Sequence, residues 1–358
     1  MSVEGLLRVG RGRLLKQTVE TAQFAPFGYR RDGWLGSENL QADVIDARRR
    51  SGPVRARRWR RVRRARPGHQ CADDPVGRGA GQLVESATVM PRVVFVLVRS
   101  VTVGVMRFGR FQSGDQAMWG CVHDEVILRL SHAPWDSRSI RTGEEIDPAA
   151  VRLLAPAEPS KIVAVGRNYA DHAAELGLAT AERPRIFFKP PSAVIGQGET
   201  IVLPPQSAEV HHEAELAVVI GRRCRNVPSD RVSGVIAGYT CANDVTARDL
   251  QRRDGQPSYA KAFDTFCPLG PWLVTDLPAG CRVRCRVNDV LRQDGEVADM
   301  LTSVTELVAY ISEAMTLLPG DVVLTGTPAG VGVLVAGDTV TVDIPGVGEL
   351  TNPVDAAR

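Results

Sequence analysis

From Met106 to its end the chain is a succession of short apolar segments, each closed by turn residues. RFGRF, MWGCV and EVILRL alternate apolar with polar positions and are separated by Ser113-Gly114-Asp115 and His123-Asp124. RIFFK and TIVL each stop at a Pro-Pro pair. A side-chain period of two suits half-buried strands, and proline ends a strand because it brings no N–H to the ladder. CRVRCRVNDVLRQDG reads as a hairpin turning at Asn288-Asp289, and DTVTVDIPGVGEL reads as a second hairpin. Helical patterns are few. Tyr169 to Leu176 is a short one ended by Gly177. SDRVSG reads as a helix before the strand-like GVIAGYT, which leads on into CANDVTARDLQRRDG. Ser303-Val304-Thr305-Glu306 is a capping box, opening a helix whose apolar face is Val304, Leu307, Val308, Ile311 and Met315. The expected class is a β-rich α+β fold with short helices. A small N-terminal β unit over 106–158 precedes a larger domain over 159–354, with Pro134, Pro148, Pro156 and Pro159 punctuating the junction.

Residues 1–105 follow another pattern. They carry 19 Arg and a single Lys against nine acidic side chains, and 11 of the 19 positions from 48 to 66 are Arg. No helix or strand period survives that density, and mutual repulsion opposes a packed core. The expectation is a disordered extension, or sequence lying upstream of the true start, with Met106 opening an ordinary beginning. The alternative is a basic arm over 48–66 for nucleic acid or anionic lipid. The remaining chain holds 24 basic and 32 acidic side chains, which argues against nucleic-acid binding by the core. The longest apolar stretch near the start, Val93–Val98, stops at Arg99. That is far short of the roughly 20 residues of a membrane span, so no membrane partner is expected. The seven cysteines are widely spread and form no CxxC pair. They fit free thiols in a reducing, cytoplasmic setting rather than disulfides or zinc.

Chemistry-bearing residues cluster in a few segments. Glu213-Ala214-Glu215 opens an alternating strand, so the two carboxylates share a face while Leu216 and Val218 point the other way. Hard oxygen ligands in that pattern suit Mg²⁺, Mn²⁺ or Ca²⁺, and a solvated strand face shows the same pattern. Asp244, placed where a strand ends, completes a candidate site. Asp249 competes for that place, but its position beside Arg248 suggests a structural pair. His172 and Glu175 lie three apart on the short helix, which is the spacing of an oriented general base and equally of an incidental surface pair. His211-His212-Glu213 suggests a zinc-protease motif, but position 216 is Leu and the segment is a strand. From Met106 on there are 21 Arg and only three Lys: Lys161, Lys189 and Lys261. A lysine kept in so arginine-rich a chain is either needed as a compact ammonium or present by chance. Lys261, in a turn-rich segment, suits neutralisation of a substrate carboxylate or an oxyanion. GTPAGVG, Gly326–Gly332, follows a strand without P-loop spacing. It reads as a loop offering N–H groups and Thr327 to an anion, or as a plain turn.

Taken in order, VGRNYADHAAE, FFKPPSAVIG, HHEAELAVVIG, NDVTARDLQ, KAFDTFCPLGP, VND-LRQ and GDVVLTGTPAGVG resemble the fumarylacetoacetate hydrolase family over roughly 159–354. Its short-form members are the nearest likeness: acylpyruvases, oxaloacetate decarboxylases and 2-hydroxyhepta-2,4-diene-1,7-dioate isomerases. The resemblance implies the family's C-terminal-domain-like mixed β-roll, a homodimer, and Mg²⁺ on Glu213, Glu215 and Asp244. It implies a His172–Glu175 pair on a lid helix, a catalytic Lys261, and ligand contacts from Thr327 and Gly326, with Arg167 and Tyr169 lining the pocket. The implied substrate is a small 2-oxo acid, either a 2,4-diketo or a 2-hydroxydienoic acid of the kind met in aromatic-compound breakdown. It would react through an enolate stabilised by the metal. Hydrolysis of a C–C bond, isomerisation, and oxaloacetate decarboxylation or tautomerisation all start from that enolate. A binding module without catalysis is the alternative from another class, and retention of every one of these residues counts against it. One departure stands out. Gln256-Pro257-Ser258-Tyr259 occupies the place of a Trp-Thr-Arg type stretch before the lysine, beside the implied pocket.

Overall fold

The computed structural model describes residues 106–357 apart from 124, 125 and 181. The Arg-rich segment, with the expectations attached to it, lies outside the described residues.

The first strands form a meander: β1 (Arg107–Ser113), β2 (Gln116–His123), β3 (Val126–Leu130) and β4 (Arg141–Ile146). After the junction come β5 (Ile162–Gly166), helix α1 (Ala170–Glu175) and β6 (Arg185–Lys189). Next are β7 (Val210–His212), β8 (Ala214–Ile220), β9 (Ile236–Asn243), α2 (Arg248–Asp254) and β10 (Cys267–Val274). The chain closes with β11 (Arg282–Val287), β12 (Val290–Glu296), α3 (Val304–Ala314), β13 (Val322–Leu324), β14 (Thr339–Ile344) and β15 (Gly348–Ala356).

A twelve-stranded sheet runs in the order β4-β3-β2-β1-β10-β9-β8-β13-β5-β6, with two short strands pairing beside it. The meander therefore joins the larger domain in one sheet, through β1 and β10, where Phe108 sits opposite Leu273. β8 lies deep in this sheet and every one of its residues is buried. Ala217 and Val219 pack with Leu269 and Leu273 on one face, while Val218 and Ile220 meet Leu307 and Ile311 of α3 on the other. Burial on both faces explains why AELAVVI reads as a nearly continuous apolar run. A second sheet orders β12-β11-β14-β15 and then Ile201–Leu203. In it Val283, Cys285 and Val287 alternate inward against outward-facing Arg282, Arg284 and Arg286. A third, three-stranded ribbon is centred on β7.

Local signals explain the ends of these elements. Asn288 and Asp289 sit at φ 50° and 65°, the left-handed pair that a tight hairpin between β11 and β12 requires. Ser303 accepts from Glu306 N–H while the Glu306 carboxylate accepts from Ser303 N–H, so the capping box of α3 is complete. SDRVSG forms a helix of the 3-10 type, Ser229–Gly234, and the strand-like segment after it opens β9 as expected. ARDLQRRDG contains α2, stopped by Gly255 at φ 67°. The six cysteines among the described residues are all buried free thiols. Among the described residues no helix is long and apolar enough to cross a membrane.

Candidate metal and catalytic site

The site is built where β8 begins and β9 ends. Ala214 pairs with Asn243 across these strands, so Glu213 and Asp244 lie side by side just beyond the ladder. Asp244 N–H donates to the Glu213 carbonyl at 2.8 Å. Glu213 N–H donates to the Asn243 side chain at 2.9 Å. One carboxylate oxygen from each of Glu213, Glu215 and Asp244 falls within 4.8 Å of the others, and all three side chains are buried.

Three cations face these three carboxylates. Lys261 Nζ donates to Glu213 Oε2 at 2.8 Å and also to Asp244 Oδ2, and it lies 4.9 Å from the centre of the Phe187 ring. Arg248 donates to the other Glu213 oxygen. Lys189, fully buried, stands 2.7 Å from Asp244 Oδ1 and donates to the Val245 carbonyl at 3.2 Å. Burial alone would raise the Glu213 carboxyl, but the Lys261 and Arg248 charges outweigh it and hold it well below the usual carboxylate range. Among the described residues Glu215 makes no ion pair, and the Lys261 charge helps it less than its neighbours oppose it. Burial, then the Asp244 and Glu213 charges, push it well above that range. Burial tends to lower Lys261, yet the Asp244 and Glu213 carboxylates raise it overall. Asp244 Oδ1 is buried without hydrogen-bond geometry to any partner, the Lys189 contact being an ion pair only. An all-oxygen set in which Asp244 Oδ1 accepts no hydrogen bond and Glu215 lacks an ion pair is what a hard divalent cation fits.

The imidazole–carboxylate pair comes from α1. His172 Nδ1 and Glu175 Oε2 are 3.1 Å apart, and Glu175 Oε1 accepts from Gly330 N–H at 3.0 Å. The turn before α1 is pinned by Asn168, which donates to the Thr302 and Thr325 carbonyls at 2.9 and 2.8 Å and accepts from Thr302 N–H at 2.8 Å. The 326–332 loop closes the other side. Gly326 N–H donates to Glu215 Oε2 at 2.6 Å, and Thr327 donates to the Ala214 carbonyl at 2.7 Å. Gly326 has φ 97°, and a Cβ there would stand 2.7 Å from Asn168 Cβ, so the close approach needs glycine. Gln293 of β12 ties this loop to the acidic strand. Its oxygen accepts from His212 and from Ala214 N–H, each at 3.0 Å, and its amide donates to Thr327 Oγ1 and the Pro328 carbonyl at 2.7 and 2.8 Å.

A cavity of about 410 Å³ brings Arg167, His172, Glu213, Glu215, Asp244, Lys261 and Thr327 together. Its size falls in the range of about 300–1,000 Å³ usual for small-molecule sites. Several sequence expectations are corrected. Tyr169 does not line the cavity; it is buried in the core beside α1, its hydroxyl without a partner. Gly326 N–H and Gly330 N–H are taken by Glu215 and Glu175, so these two donors orient the site's own carboxylates rather than an anionic ligand. Arg248 does not pair with Asp249. It opens α2 and turns to Glu213, while Asp249 accepts from Ser207 and from Ala208 N–H. His211 and His212 hold Glu209 and Gln293 and stay out of the carboxylate cluster. Gln293 carries no signal in the sequence, and Arg248 shows there only as a neighbour of Asp249. The scarcity of lysine marks Lys189 without its role, and all three lysines from Met106 on are ion-paired to buried carboxylates.

A β-rich fold holding buried carboxylates, ammonium groups and an oriented imidazole on one cavity defines an enzyme with a polar catalytic site. Residues 161–355 match the fumarylacetoacetate (FAA) hydrolase C-terminal family, and residues 106–156 match the Rv2993c-like N-terminal family. The chain belongs to the fumarylacetoacetate hydrolase family and is an enzyme of it. A structure of 5-carboxymethyl-2-hydroxymuconate delta-isomerase from Mycobacterium smegmatis is 47% identical, with TM-score 0.66, over 70% of this chain and all of the other. The mitochondrial oxaloacetate tautomerase Fahd2a of Rattus norvegicus is 42% identical over 58% of this chain and 71% of its own length. Maleylpyruvate hydrolase from Sphingobium sp. SYK-6, in complex with manganese(II) and pyruvate, is 33% identical, with TM-score 0.58, over 71% of this chain and all of the other.

Proposed function

We propose that the protein is a Mg²⁺- or Mn²⁺-dependent enzyme acting on small 2-oxo acids, of the 2,4-diketo or 2-hydroxydienoic type, through their enolates. It would work as a hydrolase or isomerase, with oxaloacetate decarboxylation or tautomerisation as the alternative outcome. The observation that carries this reading is the buried Glu213–Glu215–Asp244 set opening on the same cavity as Lys261 and the His172–Glu175 pair. A divalent cation held by the three carboxylates supplies a Lewis acid for the 2-oxo acid head. His172, held by Glu175, is placed to move a proton at the carbon next to the oxo group or to activate water. The Lys261 ammonium borders the same space and compensates negative charge on the substrate, while Thr327, whose hydroxyl is spent on the Ala214 carbonyl, shapes the wall. The names of the relatives support an isomerase, tautomerase or hydrolase reaction, and the manganese and pyruvate belong to the maleylpyruvate hydrolase complex.

The test is turnover of oxaloacetate, acylpyruvates and 2-hydroxyhepta-2,4-dienedioate by the full chain, with Mg²⁺ and with EDTA. Cation-dependent turnover of one of them is expected, lost in Glu213→Ala. Full activity in EDTA would overturn the metal requirement.

A further inference from the structure

Among the described residues four arginines line the cavity, and they fall into two pairs. Arg248 is bound to Glu213 and Arg252 to Glu209. Arg167 and Arg185 also line it, and among the described residues neither has a carboxylate partner. The β5–β6 ladder places them together. Arg185, the first residue of β6, pairs with Gly166, and Arg167 follows Gly166 directly. Like charges set next to each other on paired strands repel. Arg167 also takes a left-handed backbone conformation at φ 62°, which costs a residue with a Cβ roughly 1 kcal/mol or more. Burial, then the Arg185 charge, lowers the Arg167 pKa, so the two guanidiniums feel each other's charge. Ile186 and Phe187, which follow Arg185 along β6, also line the cavity and give it an apolar wall next to this pair.

We propose that Arg167 and Arg185 form a second anion subsite that selects 2-oxo acids bearing a carboxylate at the far end of the chain. The proposal rests on the 2-oxo acid reading above and deepens it. The head of the substrate lies toward Glu213, Glu215 and Asp244, its carbon chain along Ile186 and Phe187, and its distal carboxylate against the two guanidiniums. Guanidinium offers paired N–H donors that match a carboxylate, and the repulsion between the arginines is relieved when that anion sits between them. Monocarboxylic acids of equal length leave the pair uncompensated and bind less tightly.

Titration calorimetry of the Mn²⁺-loaded full chain tests this with three ligands: pyruvate, 2-oxohexanoate and 2-oxoadipate. The last two have six carbons and one head, and differ in the distal carboxylate. A hydrogen-bonded ionic contact of this kind predicts that 2-oxoadipate binds about 10- to 100-fold more tightly than 2-oxohexanoate. In Arg185→Gln the ratio should fall to within about threefold, because the remaining arginine alone makes a weaker contact. Arg185 is exposed at the start of its strand, so the substitution leaves the core intact. If pyruvate binds and the two six-carbon acids bind equally to the unsubstituted chain, the distal subsite is refuted while the 2-oxo acid reading stands. Binding of 2-oxoadipate that keeps its advantage in Arg185→Gln also refutes the assignment. If none of the three ligands binds, both readings fall together.

Discussion

Replacing Gln293 by leucine should both destabilise the fold and weaken cation binding. The amide is buried and makes four hydrogen bonds, two to the β7–β8 segment and two to the 326–332 loop. Thr327 keeps its bond to the Ala214 carbonyl, and His212 can change tautomer. Ala214 N–H and the Pro328 carbonyl lose these bonds inside the protein, at about 1–3 kcal/mol each. Leucine fills much of the volume and gains some apolar burial, so a net loss of about 3 kcal/mol is expected, or roughly 6–12 °C in Tm for a chain of this size. The same loosening frees Gly326, whose N–H orients Glu215, so Mn²⁺ affinity measured by calorimetry should drop as well. Ser303→Ala is the control. It removes the α3 cap, costs about 1 kcal/mol, and should leave Mn²⁺ affinity untouched because the cap lies outside the carboxylate cluster. A Gln293→Leu protein within about 1 kcal/mol of the parent would refute the reasoning from unpaired groups. Normal Mn²⁺ affinity in a destabilised Gln293→Leu would show that Gly326 and Thr327 hold the loop without it.

The remaining expectations concern the site and one buried anchor. Asp244→Asn keeps the shape but removes a charge from the oxygen set, so Mn²⁺ affinity should fall by more than the 10- to 100-fold typical of outer contacts, roughly speaking; an unchanged calorimetric Kd would contradict the ligand assignment. Glu175→Gln weakens the hold on His172, and turnover should drop about 10²- to 10⁴-fold, with Mn²⁺ affinity preserved. Asp321 is fully buried and accepts from Ser160, Lys161 and Leu318, so Asp321→Ala leaves several donors and an ammonium without a partner. A loss of about 3–5 kcal/mol is expected by urea denaturation, and a loss under about 1 kcal/mol would show that solvent replaces those bonds.

What could be read from sequence is what acts over short range. The Ser303 cap, the Asn288-Asp289 turn and the shared face of Glu213 and Glu215 each follow from spacing along one element. The pairing of His172 with Glu175 follows from helical spacing in the same way. What stayed hidden depends on which distant segments meet. Arg248 looks like a neighbour of Asp249 until α2 begins at that residue and carries the guanidinium back to Glu213. Lys189 is marked in the sequence only by the scarcity of lysine, and its role appears once its ammonium meets Asp244 just past the end of β9. Tyr169 was drawn to the pocket by its place in the motif, yet as the residue preceding α1 it packs downward into the core. Gln293 sits on the facing second sheet, and nothing in its own strand shows that His212 and Thr327 will close around it.

The electrostatics of the cavity explain why these hidden residues are needed. Three buried carboxylates cannot share a water-poor pocket without cations, since each unpaired charge costs several kcal/mol. Lys261, Arg248 and Lys189 give three positive groups for three negative ones, so the protein reaches near-neutrality with its own side chains. The contacts are uneven, however. Glu213 and Asp244 take the ion pairs with all three cations, whereas Glu215, among the described residues, has the Gly326 N–H and the more distant Lys261 charge. A divalent cation bound as proposed would compensate Glu215 and leave the cavity with an excess of positive charge. Arg167 and Arg185 at the same cavity add to that excess. A ligand that brings an acidic head and a second carboxylate restores the balance, whereas a neutral compound of the same shape would leave it unmet. Arg167 and Arg185, which pair with no carboxylate among the described residues, are the part of the charge pattern that the proposed dicarboxylic substrate would complete.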